Sequence, residues 1–428
     1  MAKTYELYKD SGSTWIGQIP SGWELGNFRY YGEFTKGKLP SSTNVEAKGL
    51  PIIGASEMLG KECRTFTEET NVPLCKPDDI LILWDGANAG IISSHHTGVV
   101  SSTAVKYSCL NPDVNKNYLF YLLKSVEPFF KEEVNGTTIP HMNMKYINEV
   151  PLLIPSSKEQ QSIASFLDTK CGEIDSLISL QEEMISELQA YKQSVITEAV
   201  TKGLDPNAKM NCCASREKND ACISSSETQP AIERKFKDSG VEWIGEIPEG
   251  WKTNRLKYLC SIATGNKDTQ DSEEDGIYKF YVRSPIIEHS NSWTFEGEGI
   301  LMAGDGAGAG RVFHHAFGKY AVHQRVYRMA DFKSINTNFL YYYLSSLFCR
   351  IMDMGSAQST VPSVRLPMLT NFVVCIPPLS EQQAIASYLD DKTSQIDSLI
   401  SLKQQKIDEL KSYKKSIIYE YVTGKKRV

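Results

Sequence analysis

The chain is 428 residues long, 41% hydrophobic and 23% charged, with a formal net charge of -6. That length allows two to four domains with cores of their own, and that composition excludes a fibrous or disordered chain. The negative charge excludes a uniformly basic nucleic-acid binder, so any anionic partner must meet local basic loops or be neutralised by another subunit. Residues 1–155 carry 14 Lys and Arg against 17 Asp and Glu, and residues 232–378 carry 16 against 16. No run of 18 or more apolar residues occurs, and MAKTYELYKD lacks the apolar core of a signal peptide, so no membrane span and a cytoplasmic location are expected. The ten cysteines contain no CxxC pair, which points to free thiols.

The first recognisable block is KDSGSTWIGQIPSGWE at 9–24. Short β-type runs follow, LPIIG at 50–54 and DDILILW ending at Trp84, and then a helical stretch, NYLFYLLKSV at 117–126. Residues 1–155 therefore read as an α/β domain. Pro155 stops the last strand, and a long helix is expected over 156–202. Its apolar residues recur every seven positions, with Leu167, Ile174, Leu188 and Val195 in one set and Ile163, Leu177, Met184 and Tyr191 in the other. Ile178 and Ile185 widen the stripe, and Gln181 interrupts it. Residues 203–231 are polar, Ser-rich and without period, and read as a linker. Cys212, Cys213 and Cys222 lie there without histidines at ligand spacing, so no metal site is expected.

At 237–252 the opening block returns as KDSGVEWIGEIPEGWK, identical at 11 of 16 positions with an offset of 228. IYKFYV at 277–282, GILMAG at 299–304 and TNFLYYYLSSLF at 337–348 complete a second domain over 232–378. A second long helix is expected over 379–424, with Leu389, Ile396, Leu410 and Ile417 in one heptad set and Ile385, Leu399 and Tyr413 in the other. Its opening, EQQAIASYLDDKTSQIDSLISL, matches EQQSIASFLDTKCGEIDSLISL of the first helix at 16 of 22 positions with an offset of 222. Two alignments at nearly one offset make the chain a tandem duplication. The fold class is α+β: two α/β domains alternating with two long helices. Near-identical helices in one chain pair most simply about a pseudo-two-fold axis, as an antiparallel coiled coil. Roughly 40 residues at about 1.5 Å each would make a spacer on the order of 60 Å.

Catalytic signatures are missing. GASEMLGK near residue 54 has the wrong spacing for a phosphate loop. DGANAG at 85–90 and GDGAGAG at 304–310 each follow an apolar run and read as tight turns. His95–His96 and His314–His315 recur, but adjacent strand residues point to opposite faces, so a shared metal is not expected. Asn111-Pro112-Asp113 is a turn, not the Asn-Pro-Pro-aromatic motif of an amino-methyltransferase.

The two blocks, with GTTIPHMNMKYINEVPLLIP at 136–155, resemble the specificity subunit of Type I restriction-modification systems. The resemblance covers nearly the whole chain, in the order target-recognition domain, helix, target-recognition domain, helix. It implies a non-catalytic DNA-binding subunit in which each recognition domain reads one half of an interrupted double-stranded site. Two methyltransferase subunits would dock on the helices and restriction (helicase-nuclease) subunits would join them. S-adenosylmethionine, ATP and magnesium would belong to those partners, with no cofactor in this chain. Half-sites about one DNA turn apart, roughly 34 Å, would be within reach of the spacer. Docking is expected at Leu167, Ile174, Leu177, Met184 and Leu188, and at Leu389, Ile396, Leu399, Leu410 and Tyr413.

For DNA contacts, the loops after the opening block offer Lys36 and Lys38 in the first half and Asn266 and Lys267 in the second. Polar residues beside strand-like runs add Ser56, Asn88, Arg283, Ser284 and Arg311. The loop before each closing segment offers Thr137, Thr138, His141 and Asn143, or Gln358, Ser359 and Thr360. Lys and Arg suit phosphates or guanine edges, and Asn and Gln suit adenine edges. The second half departs from the first there, reading MGSAQSTVPSVRLPML at 354–369. Trp15, Trp23, Trp243 and Trp251 sit in the repeated frame and read as packing anchors. The rival readings are a self-contained nuclease or methyltransferase and a coiled-coil scaffold that does not bind DNA.

Overall fold

The repeated opening block is a hairpin. Tyr8–Asp10 pairs with Gln18–Pro20, and Phe236–Asp238 pairs with Glu246–Pro248, both antiparallel. The Asp10 carboxylate accepts from the Gly12 N–H at 3.0 Å, and Asp238 accepts from Gly240 at 2.9 Å. Those glycines adopt φ of 73° and 75°, a left-handed conformation that side chains disfavour, which accounts for DSG in both copies. The computed structural model describes residues 4–13, 15–134, 140–204, 234–354 and 362–428. The chain divides into two compact units, Met1–Glu182 with Lys403–Val428, and Glu183–Leu402.

In the first unit one sheet runs Gly32–Lys36, Ala104–Cys109, Ile80–Leu83, Ile92–Ser93, antiparallel throughout. A second runs Phe66–Thr67, Leu50–Ile53, Gly98–Val100, Leu74–Cys75, with Leu50–Ile53 and Gly98–Val100 parallel. Ile80–Leu83 is buried at every position, as an uninterrupted ILIL run requires. The second unit repeats this plan. Ser261–Thr264, Val326–Ala330, Gly299–Ala303 and Phe313–Ala316 form one sheet, and Glu288–Ser290, Tyr278–Tyr281, Lys319–Val322 and Phe295–Glu296 the other. Its parallel pair is Tyr278–Tyr281 with Lys319–Val322. In each unit a domain helix, Lys116–Ser125 or Thr337–Met354, sinks its apolar face into the core through Tyr118, Leu119 and Leu122, or through Phe339, Leu340 and Tyr343.

The EQQ motif opens the long helices Ser157–Lys202 and Leu379–Val422, and its side chains hold each domain to its helix. Glu159 accepts the Trp23 indole N–H at 3.2 Å, and Glu381 accepts that of Trp251 at 3.0 Å. Their second oxygens accept from the Tyr5 hydroxyl and from Arg234. Gln160 accepts the Asn115 backbone N–H at 2.8 Å and donates to the Pro155 carbonyl at 2.9 Å. Gln382 does the same with Asn336 at 2.7 Å and Pro377 at 2.9 Å. Both glutamines are 1% exposed. Two turns on, Asp168 accepts from Tyr121 at 2.8 Å and Asp390 from Tyr342 at 2.7 Å.

Within each unit segments of the two long helices run antiparallel. In the first, Phe166 packs on Tyr421 with centroids 4.4 Å apart, Asp175 pairs with Lys414 at 2.7 Å, and Lys403 donates to Gln181 at 3.3 Å. In the second, Lys192 pairs with Asp397 at 2.6 Å, and Arg234 joins the Lys202 carbonyl to Glu381. The two ion pairs are repeat equivalents, each joining an aspartate of one repeat to a lysine of the other.

The heptad assignment needs one correction. Leu167, Ile174, Leu389 and Ile396 are buried, and Leu188 and Leu410 are partly buried, as a seam requires. Leu177 and Leu399 are each 48% exposed, Met184 is 36% exposed and Tyr413 56%. The second seam line is instead Cys171, Ile178 and Ile185 in one helix and Thr393, Ile400 and Ile407 in the other, none of them exposed. A step of three or of four from the first line meets an apolar residue in this sequence. The helices are rotated so that the step of four faces inward.

Replacing Gln382 with Ala would leave the partly buried Asn336 N–H and the buried Pro377 carbonyl unpaired and open a cavity. We expect a loss of about 2–4 kcal/mol. Urea denaturation followed by tryptophan fluorescence measures it, and an unchanged midpoint would refute the bridging role.

Candidate nucleic-acid interface

Each domain builds the same loop around an Asp-Gly-Ala-x-Ala-Gly turn. In the first, the buried strand Ile80–Leu83 runs through Trp84 into the DGANAG turn, where Gly90 N–H returns to the Leu83 carbonyl at 2.7 Å. In the second, Gly299–Ala303 runs into GDGAGAG, and Gly310 N–H bonds the Ala303 carbonyl at 2.9 Å. The segment before the closing strand docks on this turn in both copies. Gly86 and Gly306 donate to the carbonyls of Pro140 and Pro362, each at 3.0 Å, and Met142 and Val364 donate to those of Trp84 and Gly304. Asp85 forms a β-bridge with His141, and Asp305 forms one with Ser363.

The aspartate of each turn holds two basic side chains. Asp85 Oδ2 lies 2.6 Å from Lys36 Nζ, and Oδ1 lies 2.5 Å from His141 Nδ1. Asp305 Oδ1 lies 3.0 Å from Arg283 Nη1, and Oδ2 lies 2.5 Å from Arg325 Nη1. Burial pushes both carboxyls up, but hydrogen bonds and charge from their partners outweigh it and hold both below the ordinary aspartate value. The Asp305 side chain is 15% exposed, whereas those of Arg283 and Arg325 are 42% and 60% exposed. The acid is thus set into the turn while the cations face solvent, an arrangement suited to phosphates and base edges. Beside the second loop a cavity of about 640 Å³ is lined by Arg283, Ser284, Glu288, Asp305 and His323, among others.

The other sequence candidates are more scattered. Lys38 and Asn266 are exposed and follow Gly37 and Gly265, where a Cβ would come within 2.0 Å of the carbonyl oxygens of Ser101 and Val322. Only glycine fits at either position. Asn266 accepts from the Thr294 hydroxyl at 3.2 Å, and Lys267 donates to Ser292 Oγ at 2.6 Å. Asn88 is exposed on the first turn, and Ser56 is exposed on the short helix Ala55–Met58. Arg311 pairs with Asp353 at 2.5 Å. Asn143 has a local task, capping the helix Met144–Glu149 by accepting the Lys145 N–H at 2.9 Å. Ser284 Oγ accepts the Ile286 N–H at 2.9 Å. Thr137, Thr138, Gln358, Ser359 and Thr360 lie outside the described residues.

Sequence reasoning missed Asp85, Asp305 and Arg325. The signal available for the aspartates was the recurrence of Asp at the head of both glycine turns. Arg325 had no equivalent basic residue in the first half to draw attention to it. The paired histidines turn to separate local partners: His96 to Ser93 at 2.6 Å, His314 to the Ser284 carbonyl at 3.1 Å, His315 to Glu298 at 2.9 Å. Among the described residues, no three His, Cys, Asp or Glu side chains converge as a metal site. No helix among them is long and apolar enough to cross a membrane.

A family profile described as "Type I restriction modification DNA specificity domain" matches residues 20–190 and again 248–412, once on each repeat. The MjaVIII specificity subunit of a Type I restriction enzyme from Methanocaldococcus jannaschii is 28% identical over 440 residues, covering 96% of this chain and 94% of that protein. The EcoDI specificity subunit of Escherichia coli is 31% identical over 180 residues, covering 42% of this chain and 39% of that one. A solved structure, from work on complex assembly and conformational transition of the type I R-M system, shares the fold with a TM-score of 0.63 at 15% identity. It covers 94% of this chain and 98% of its own.

The Asp305 carboxyl has a folded pKa below its unfolded one. Its contribution to stability is therefore full above the unfolded pKa of about 3.9 and is lost as pH falls through the folded value. Comparison of the wild type with Asp305→Asn by denaturation should show a constant stability gap from pH 7 to about 5, closing below about pH 4. A gap that widens as pH falls would contradict the assignment.

Proposed function

The chain belongs to the Type I restriction-modification DNA specificity family, and from that membership we propose how its two repeats divide the work. It is a specificity subunit that recognises DNA sequence. Each domain reads one half of a bipartite double-stranded site through the loop centred on Asp85 or Asp305. The long helices dock two methyltransferase subunits, to which restriction subunits attach, and the assembly works in the cytoplasm. This chain contributes no catalytic residue. S-adenosylmethionine, ATP and magnesium are held by the partners.

One observation carries this reading: the family match falls once on each repeat, and each repeat builds the same acid-held basic loop at the same place in its fold. Two equivalent readers in one chain suit a target with two parts. The first domain is negative overall, so its grip on DNA rests on those local cations and on charge supplied by the partners.

Docking is supported by apolar surface that the seam does not use. Leu177 and Leu180 are each 48% exposed, and their repeat equivalents Leu399 and Leu402 are 48% and 61% exposed. Tyr191 and Tyr413, another equivalent pair, are both 56% exposed. Leucines three apart share one side of a helix, and exposed apolar side chains at such spacing suit a partner helix. The set occurs twice, which agrees with two methyltransferase copies.

Because Leu177 and Leu399 are half exposed, Leu177→Asp and Leu399→Asp should leave the stability of the isolated chain within about 0.5 kcal/mol of wild type. Each should remove one methyltransferase subunit from the co-purified complex, and the double variant both. Mass measurement of the complexes decides it, and full retention by the double variant places the docking surface elsewhere.

Recognition should also be modular. Replacing residues 1–155 with the matching domain of another family member should change one half of the target methylated by the assembled complex and leave the other half intact. Methylation mapping reads both halves at once. The isolated chain should neither cut nor methylate DNA, and change in both halves would contradict independent reading.

A further inference from the structure

The two Asp-centred loops have the same backbone but different cations. The first presents an ammonium, Lys36, and an imidazole, His141, whereas the second presents two guanidiniums, Arg283 and Arg325. An ammonium is a point charge on a flexible stem. A guanidinium is a rigid planar fork of five N–H donors. Each arginine gives one Nη1 to Asp305. No other side-chain hydrogen bond engages either one among the described residues, so the Nε and Nη2 donors of both remain open. Fixing one nitrogen on an acid set into the turn restrains the fork, so less freedom is lost when the remaining donors engage a ligand.

Guanine alone offers two adjacent acceptors, O6 and N7, on its major-groove edge, and a bidentate arginine matches them. The cavity beside Arg283 carries a second clue. Glu288 lines it, and Glu288 Oε2 is buried without a hydrogen-bond partner. An ionised carboxylate only accepts hydrogen bonds, and the base paired to guanine, cytosine, offers the N4 amino donor in the same groove. Of the two arginines Arg283 lines that cavity, so one donor fork and one unfilled acceptor stand together there, a set complementary to a G·C pair.

We propose that Arg283 and Arg325 read guanine in the half-site of the second domain, that Glu288 accepts from the paired cytosine, and that Asp305 is the positioning residue for both arginines. The first domain, with no arginine at its equivalent loop, does not use this device. This proposal rests on the DNA-recognition reading given above.

The test uses the full chain assembled with its methyltransferase subunits, after methylation mapping of the wild type has defined both half-sites. Binding is measured on duplexes in which each guanine in turn is replaced by 7-deazaguanine, which lacks the N7 acceptor. Replacement at one or two guanines of the second half-site should weaken wild-type binding roughly 10- to 100-fold. Arg283→Lys and Arg325→Lys should each bind the unmodified site more weakly and lose sensitivity to 7-deazaguanine at one of those positions. Glu288→Gln should relax preference for cytosine on the opposite strand. Asp305→Asn should reduce discrimination at both guanines while leaving the first half-site unaffected. The proposal is overturned if the second half-site lacks guanine or if no deaza substitution there matters. It is equally overturned if the arginine variants weaken all duplexes alike with a shallower salt dependence, the mark of phosphate contacts. A wild-type complex with no bipartite target would instead overturn the proposed function itself.

Discussion

Gln160 and Gln382 each join, through one buried amide, the N–H that opens a domain helix to the carbonyl that closes the strand before a long helix. Both ends are backbone groups, the carbonyl end buried and the N–H end partly so, and leaving them unpaired is costly. The direction in which the long helix leaves its domain follows from that bond. The neighbouring glutamate fixes its roll through the indole of Trp23 or Trp251, and the aspartate two turns on ties it to the domain helix again. Domain and helix thus behave as one piece. The Asp-centred loop, anchored on the domain sheet, inherits its position from the same contacts.

On that support the loops differ only where difference is useful. The glycine turn, the proline carbonyl that meets it and the aspartate at its head are common to both domains. The cations they present come from other places: Lys36 from an edge strand, His141 from the segment before the closing strand, Arg283 and Arg325 from the ends of two strands of the second domain. Holding the acid constant while exchanging its partners changes the donor pattern offered to a ligand without rebuilding the backbone beneath it.

The sequence disclosed the duplication, the order of domains and helices and the antiparallel sense of the pairing, because repeated blocks and heptad spacing are local signals. It disclosed Lys36, His141 and Arg283 as candidates, since basic residues beside turns can be read along the chain. Asp85 and Arg325 were not legible, because their importance lies in contacts between segments far apart in sequence, set by strand pairing. The rotation of the helices was not legible either. Ile178 and Leu177 are neighbours of almost equal hydrophobicity, and only packing against the partner decides which is covered.

Asp175 pairs with Lys414, and Asp397 pairs with Lys192, and in both cases the partners are the same two places in the repeat. A single repeat therefore contains both chemical halves of every such contact, an aspartate early in its helix and a lysine late in it. A chain half this length would carry both partners of that ion pair. Covalent linkage of the two repeats is then not what supplies the chemistry of these ion pairs. What it adds is heterogeneity: two different domains held in fixed one-to-one ratio, where free association of half-length chains would also give pairs of identical domains.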